Sequence, residues 1–285
     1  MTKIIACVDG SKKSENVCDL TVWVNKNTNL DISLLHVAIP HNGVEAKSNL
    51  SGSIGLGSDS NLLQELSELD EEHGKMELEK GLKILEDANK SLAKNNVKKV
   101  EILHRRGDLE ETILDLQDKA ELIILGKNGE GANDDSSELG SNLEDVARSV
   151  SKPILVATKQ SKNIKNFLIA YDGSANSKKL IEYISQNKLL KNLECHILNV
   201  GNNNLGQEVN LQDAKNKLTK SGFKVNAVLK EGTSVVDEIM DYIDKNKINL
   251  LVIDAYKHSK IRSFILGSKT TSIIKKSEIP VLLFR

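Results

Sequence analysis

The sequence predicts an α/β protein of two tandem domains, residues 1–160 and 161–285, each with a parallel sheet flanked by helices. The first observation behind this is internal repetition. IIACVDGSKKS at 4–14 returns as FLIAYDGSANS at 167–177, and LGSNLEDVARSVSKPILVA at 139–157 returns as LGSKTTSIIKKSEIPVLLF at 266–284. Two copies this far apart indicate a duplicated domain rather than a solenoid. The second observation is that short apolar runs alternate with segments of helical period, the pattern of βαβ units with right-handed crossovers. The third is that the apolar runs are continuous in Val, Ile and Leu, as expected of strands covered on both faces.

The strand-like runs of the first half are 4–8, 32–37, 100–104, 122–125 and 154–157. Those of the second half are 167–171, 195–200, 225–230, 250–253 and 281–284. Between them, 13–24 places Val17, Leu20, Thr21 and Val24 on one helical face, and 79–92 does the same with Leu82, Leu85 and Leu92. Pro153 and Pro280 open the last strand of each half, where no ladder donor is needed. Residues 159–165 read as a compact polar hinge. Residues 41–60 are rich in Gly, Ser and Asn and read as a loop, a candidate lid, leading into a long surface helix.

Composition narrows the function classes. The 285 residues are 39% hydrophobic and 28% charged, an ordinary globular balance. A net charge of -1 supplies no field for nucleic acid or an acidic membrane, and 3% aromatics argue against a base-stacking surface. Cys7, Cys18 and Cys195 show no CxxC spacing; Cys7 and Cys195 read as small core residues. There is no apolar stretch of membrane-spanning length and no leader pattern. The plain expectation is a cytoplasmic protein. No HExxH, Cys/His cluster or GxSxG elbow points to metal or hydrolase chemistry.

Ligands of open parallel sheets bind beyond the strands' carboxyl ends, where strand order reverses. In a sheet of order 3-2-1-4-5, the first and fourth strands are neighbours. Asp9, Gly10 and Ser11 follow the first, and the Gly126–Gly129 loop follows the fourth. Gly140 and Ser141 open the next helix, whose free N–H groups suit an anion. A carboxylate in one loop and a glycine cradle in the next would serve a nucleoside phosphate. Asp9 would accept from base or ribose, and the glycines would admit phosphate. The competing reading is local: a DGS turn in which Asp9 and Asp172 cap the following helices.

These residues resemble the universal stress protein family, and the resemblance covers nearly the whole chain. The family signature is Gly, two residues, Gly, nine residues, then Gly and Ser or Thr. Gly126, Gly129, Gly140 and Ser141 match it, with ten residues instead of nine before Gly140. Asp9 matches an aspartate that meets adenine in nucleotide-binding members, and Gly107 matches a glycine that flanks the base. The resemblance implies Rossmann-like domains of the adenine nucleotide alpha hydrolase type, each five-stranded in the order 3-2-1-4-5. It also implies a stress-response role, bound ATP or AMP, and an intrachain pseudo-dimer through the strands near Leu155 and Leu282. Homodimers are common in the family.

The second half keeps Asp172, Gly232, Gly267 and Ser268, but Asp254 and Lys257 replace the two loop glycines. It is therefore expected not to bind ATP in the family manner. In the first half, Glu130, Asp134, Asp135 and Glu138 crowd the expected phosphate position. Two unit charges about 10 Å apart in water repel by roughly 0.4 kcal/mol. Several such pairs outweigh the ~0.3–1 kcal/mol of a helix N-terminus. A triphosphate thus calls for Mg²⁺, whereas AMP does not. Three functions stand: a nucleotide-sensing regulatory protein that also meets an unknown protein partner, a slow ATPase with no evident general base, and a scaffold that has lost its ligand.

Overall fold

The computed structural model describes residues 2–38, 59–129, 139–201, 205–255 and 267–284, with side chains of the long helix from residue 71 onward. The first half runs β1 (Lys3–Cys7), α1 (Ser14–Thr28), β2 (Asp31–Ala38), α2 (Asp59–Lys94), β3 (Val100–Arg106), α3 (Leu109–Leu116), a 3-10 turn, β4 (Ala120–Gly126), α4 (Ser141–Ser149) and β5 (Ile154–Ala157). The second runs β6 (Asn166–Ala170), α5 (Ala175–Gln186), β7 (Glu194–Val200), α6 (Leu205–Lys220), β8 (Val225–Lys230), α7 (Val235–Asn246), β9 (Leu251–Asp254), α8 (Ser268–Lys276) and β10 (Val281–Phe284). The anticipated long helix is α2; residues 41–58 of the anticipated loop lie outside the described residues, and with them its reading as a lid.

The strands form one sheet in the order β3-β2-β1-β4-β5-β10-β9-β6-β7-β8. Each half has the expected 3-2-1-4-5 order, and all pairings within a half are parallel. The seam between the halves is antiparallel, with Leu282 opposite Leu155, Val281 opposite Val156 and Leu283 opposite Ile154. The pairing consumes the backbone donors and acceptors that β5 and β10 would otherwise leave bare at two sheet edges.

Alternation along each strand supplies two cores. Ile4, Ala6 and Val8 face one side, where α1, α2, α5 and α6 deliver Val17, Leu85, Leu180 and Leu211. Ile5 and Cys7 face the other, where α3, α4, α7 and α8 deliver Ile113, Leu143, Ile239 and Ile273. Both cores draw on both halves. Burial raises the thiol pKa of Cys7 to about 12, so it behaves as an inert core group. Leu82 departs from expectation: it is 48% exposed. The helix lies over the outermost strands and, among its described side chains, covers a narrow stripe of Gly81, Leu85, Ala88 and Leu92.

The hinge at 159–165 is a packed turn. Ser161 is buried, its hydroxyl bonds Thr158, and Gln160 N donates to the Glu278 carbonyl at 3.2 Å.

Candidate functional site

A cleft of about 880 Å³ opens at the carboxyl ends of β1 and β4. Asp9, Ser11, Gly107, Gly126, Gly129, Gly140 and Ser141 all line it. Strand order brings them together: β4 pairs with β1, with Ala6 against Ile124 near the ends of both.

Asp9 is held in its turn through one of its two carboxylate oxygens. Its Oδ1 accepts from Ser11 N (3.0 Å), Ser11 Oγ (2.7 Å) and Ser14 Oγ (2.9 Å). That is a closed Asx-type turn. Among the described residues none bonds Oδ2, which lies 3.7 Å from where a Cβ on Gly129 would sit. Acid and glycine loop are therefore immediate neighbours rather than facing walls. Asp9 does not cap the helix; the N-cap of α1 is Lys13.

Gly10 does not line the cleft. Its φ of +81° requires glycine, and an added Cβ would meet Ile84 of α2 at 2.6 Å, so it is the point where the turn touches the long helix. Gly140 is needed for close approach. As the N-cap of α4 it packs against the loop, where a Cβ would come within 3.3 Å of Asn128 Cα and 3.4 Å of Gly129 N. Ser141 sits one position later, in the first turn, and the cap makes no side-chain bond.

The cleft also holds residues that sequence reasoning missed. Lys13 and Lys80 bring cations to it, and Asn128 and Asn142 bring amides. Lys13 stands two residues after Ser11 of the DGS turn and was legible as a neighbour of Asp9. Lys80 was not, because nothing local places α2 over the strands. The acidic residues Glu130, Asp134, Asp135 and Glu138 lie outside the described residues, as do Lys257 and the HSK stretch at 258–260.

At the wall of the cleft, the rings of His36 and His104 lie tilted against each other at 40°, with centroids 5.6 Å apart. His36 Nδ1 is 2.8 Å from the Val8 carbonyl, so that nitrogen carries the hydrogen and donates. His104 Nε2 is buried without a hydrogen-bond partner. Burial, and then the charge of His36, hold the His104 imidazole below its ordinary pKa. His196 is lowered by burial as well, while its Nδ1 meets Tyr242 Oη at 2.9 Å. A folded-state pKa below the unfolded value means the unfolded chain binds the proton first. Stability is complete above the ordinary histidine value near 6.5 and falls as pH drops below it. The melting temperature should decline from pH 7 to 5.5, and His104→Asn should flatten that decline; an unchanged slope in the variant would remove His104 as its source.

The described residues of the second half are arranged differently. Asp172 Oδ1 accepts from Ser174 N at 2.9 Å, and Ser174, not Asp172, caps α5. Burial raises the Asp172 pKa, but hydrogen bonds from Ser174 and Ser177 outweigh it and leave the carboxyl below its usual range. Asp254 ends β9, Ala255 follows, and Gly267 caps α8 as Gly140 caps α4. At Gly232 an added Cβ would meet Glu238 at 2.7 Å, where Gly107 faces open space. Lys230 ties Glu238 and Asp241 into an ion cluster there.

No helix among the described residues is long and apolar enough to cross a membrane. The universal stress protein family profile matches residues 1–158 and 202–285. The chain is 36% identical over 288 residues to universal stress protein Slr1230 of Synechocystis, covering 100% of both. Its fold matches a universal stress protein of Archaeoglobus fulgidus, with TM-score 0.71, 20% identity, and 99% of this chain and 98% of that one covered. It also matches a putative universal stress protein of Pseudomonas aeruginosa, with TM-score 0.64, 15% identity, and 100% and 93% covered. Profile, full-length relative and the tandem 3-2-1-4-5 sheet agree, and this chain is a member of the universal stress protein family.

Proposed function

We propose that the chain is a stress-response binding protein whose first half, 1–160, holds an adenine nucleotide, and whose second half, 161–285, does not. The observation that carries this is the 3.7 Å separation between Asp9 Oδ2 and the bare face of Gly129. One mononucleotide can reach both. Asp9 Oδ2 is an acceptor, so it suits a ribose hydroxyl or an exocyclic amine and repels phosphate. Phosphate belongs beyond Gly129, against the first amides of α4 at Ser141 and Asn142, with Lys13 on the same cleft. Val37, Gly107 and Leu109 form a wall against which a base can lie. The cleft volume is within the usual range for small-ligand sites, roughly 300–1,000 Å³.

The residues fit a nucleotide better than they fit nucleotide hydrolysis. Asp9 Oδ1 is committed to its turn, and His36 spends its Nδ1 on a carbonyl. The hydroxyls beside Asp9, those of Ser11 and Ser14, are spent on that same turn. The acids at 130–138 favour AMP over ATP unless Mg²⁺ accompanies the triphosphate.

Asp9→Asn separates the two roles of the aspartate. The amide oxygen can take the place of Oδ1 in the turn, while the acceptor at Oδ2 becomes a donor. Calorimetric titration should show AMP binding in the unmodified protein, weakened about tenfold in Asp9→Asn, about 1.4 kcal/mol. Gly129→Leu, which fills the space beside Asp9, should abolish it with the melting temperature little changed. No binding of AMP, adenosine or ATP up to millimolar, with and without Mg²⁺, would overturn the proposal in favour of a scaffold.

A further inference from the structure

Lys127 is the residue between the two loop glycines that points away from the cleft. Its Nζ donates to the carbonyls of Lys275 and Ser277 (3.1 Å for the latter), at the end of α8 in the other half. Its backbone is committed as well. Lys127 N donates to Ala157 O at 3.0 Å, and Lys127 O accepts from Gly140 N at 3.1 Å. One residue thus joins the last strand of the first half, the glycine that starts α4, and the last helix of the second half. The side chain is partly buried across the seam, and a cation at a helix C-terminus satisfies carbonyls that have no partner within the helix. Burial lowers the pKa of this ammonium, and Glu278 opposes the shift.

Among the described residues the contact has no counterpart in the other direction. Ala255 N donates to Phe284 O at 3.0 Å, so Ala255 occupies the backbone place that Lys127 occupies beside Ala157. A methyl group cannot cross the seam. Other bonds hold the same corner, including Thr158 Oγ1 to the Glu278 carbonyl at 2.6 Å, but they start from the hinge and not from the glycine loop.

We infer that Lys127 is a positioning residue: it braces the glycine loop of the first half against the last helix of the second, so that the half without a matching glycine pair sets the geometry of the other half's site. The ligand side of this inference rests on the nucleotide reading above. The brace itself does not. It explains why a half that has lost both loop glycines still keeps its Gly267-capped helix in place.

The test uses the full chain and AMP. Lys127→Met should weaken AMP about tenfold, Lys127→Arg should recover most of the loss, and Thr158→Val, which loosens the seam but not the loop, should leave AMP affinity unchanged. In the unmodified protein AMP should shift the backbone amide resonances of 268–277, and in Lys127→Met it should not. Equal AMP affinity in Lys127→Met, or equal weakening in Thr158→Val, overturns the inference. Should Lys127→Met fail to fold, the shifts at 268–277 in the unmodified protein decide, and their absence overturns it. If the unmodified protein binds no AMP, the nucleotide reading falls alone. The brace is then judged by amide exchange at Gly140 without ligand, where faster exchange in Lys127→Met, largely recovered in Lys127→Arg, supports it and unchanged exchange in Lys127→Met overturns it.

Discussion

Leu282→Ala should destabilise the whole chain by about 2–5 kcal/mol, the usual loss for emptying a fully packed leucine site. Leu282 stands directly opposite Leu155 in the only antiparallel pairing among the described strands, and neither side chain reaches solvent. The site cannot collapse easily. Both residues belong to the core that α1 and α5 cover, which draws on both halves. Because the sheet runs unbroken across the seam, both halves should lose stability together. Urea unfolding should show an earlier midpoint with one transition and an unchanged slope. A second transition, or a loss below about 1 kcal/mol, would mean that the halves are held by something other than this pair.

Gly81→Ala should also destabilise, by about 1–3 kcal/mol. The sign is the informative part. A glycine inside a helix is worse than alanine by about 1 kcal/mol, so propensity alone predicts stabilisation. Gly81 lies in the part of α2 that crosses the histidine pair, and an added Cβ would come within 2.2 Å of His104 Nε2 and 2.8 Å of His36 Cδ2. Neither ring can give way cheaply. His36 is tethered to the Val8 carbonyl, and the two imidazoles already lie against each other. The helix must lift instead. His36, Glu77 and Lys80 line the cleft, so lifting α2 also moves a wall of the candidate site. Thermal denaturation of Gly81→Ala with AMP titration checks both effects; a raised melting temperature would show that the helix has room.

Much of the fold was legible because its determinants are local or duplicated. The continuous Val, Ile and Leu runs marked the strands, and the two copies of the DGS turn and of the last helix and strand marked the halves. The seam at Leu155 and Leu282 came through family resemblance, and the strand register places those two residues opposite each other. The site was legible in outline. Asp9, Gly126, Gly129, Gly140 and Ser141 share one cleft, because each follows a strand end or opens a helix and sequence marks such positions well.

Sequence reasoning reached least far where one helix meets another part of the chain. Gly10, expected among the nucleotide-holding residues, also clears Ile84 of α2. Leu82 read as core, but α2 overhangs the outermost strands and leaves it open. Lys80 reaches the cleft and Gly81 admits two imidazoles, and no local pattern singles out either.

The sequence by itself determined the element types, the tandem halves and which loops carry the acid and the glycines, because period, turn chemistry and repetition act within a few residues of each other. Only the tertiary structure decided that Asp9 Oδ2 stands over Gly129, that Gly81 must be bare, and that Lys127 reaches the far helix. Those are distances between segments remote in sequence, set by how the helices settle on a shared sheet, and no local pattern encodes them.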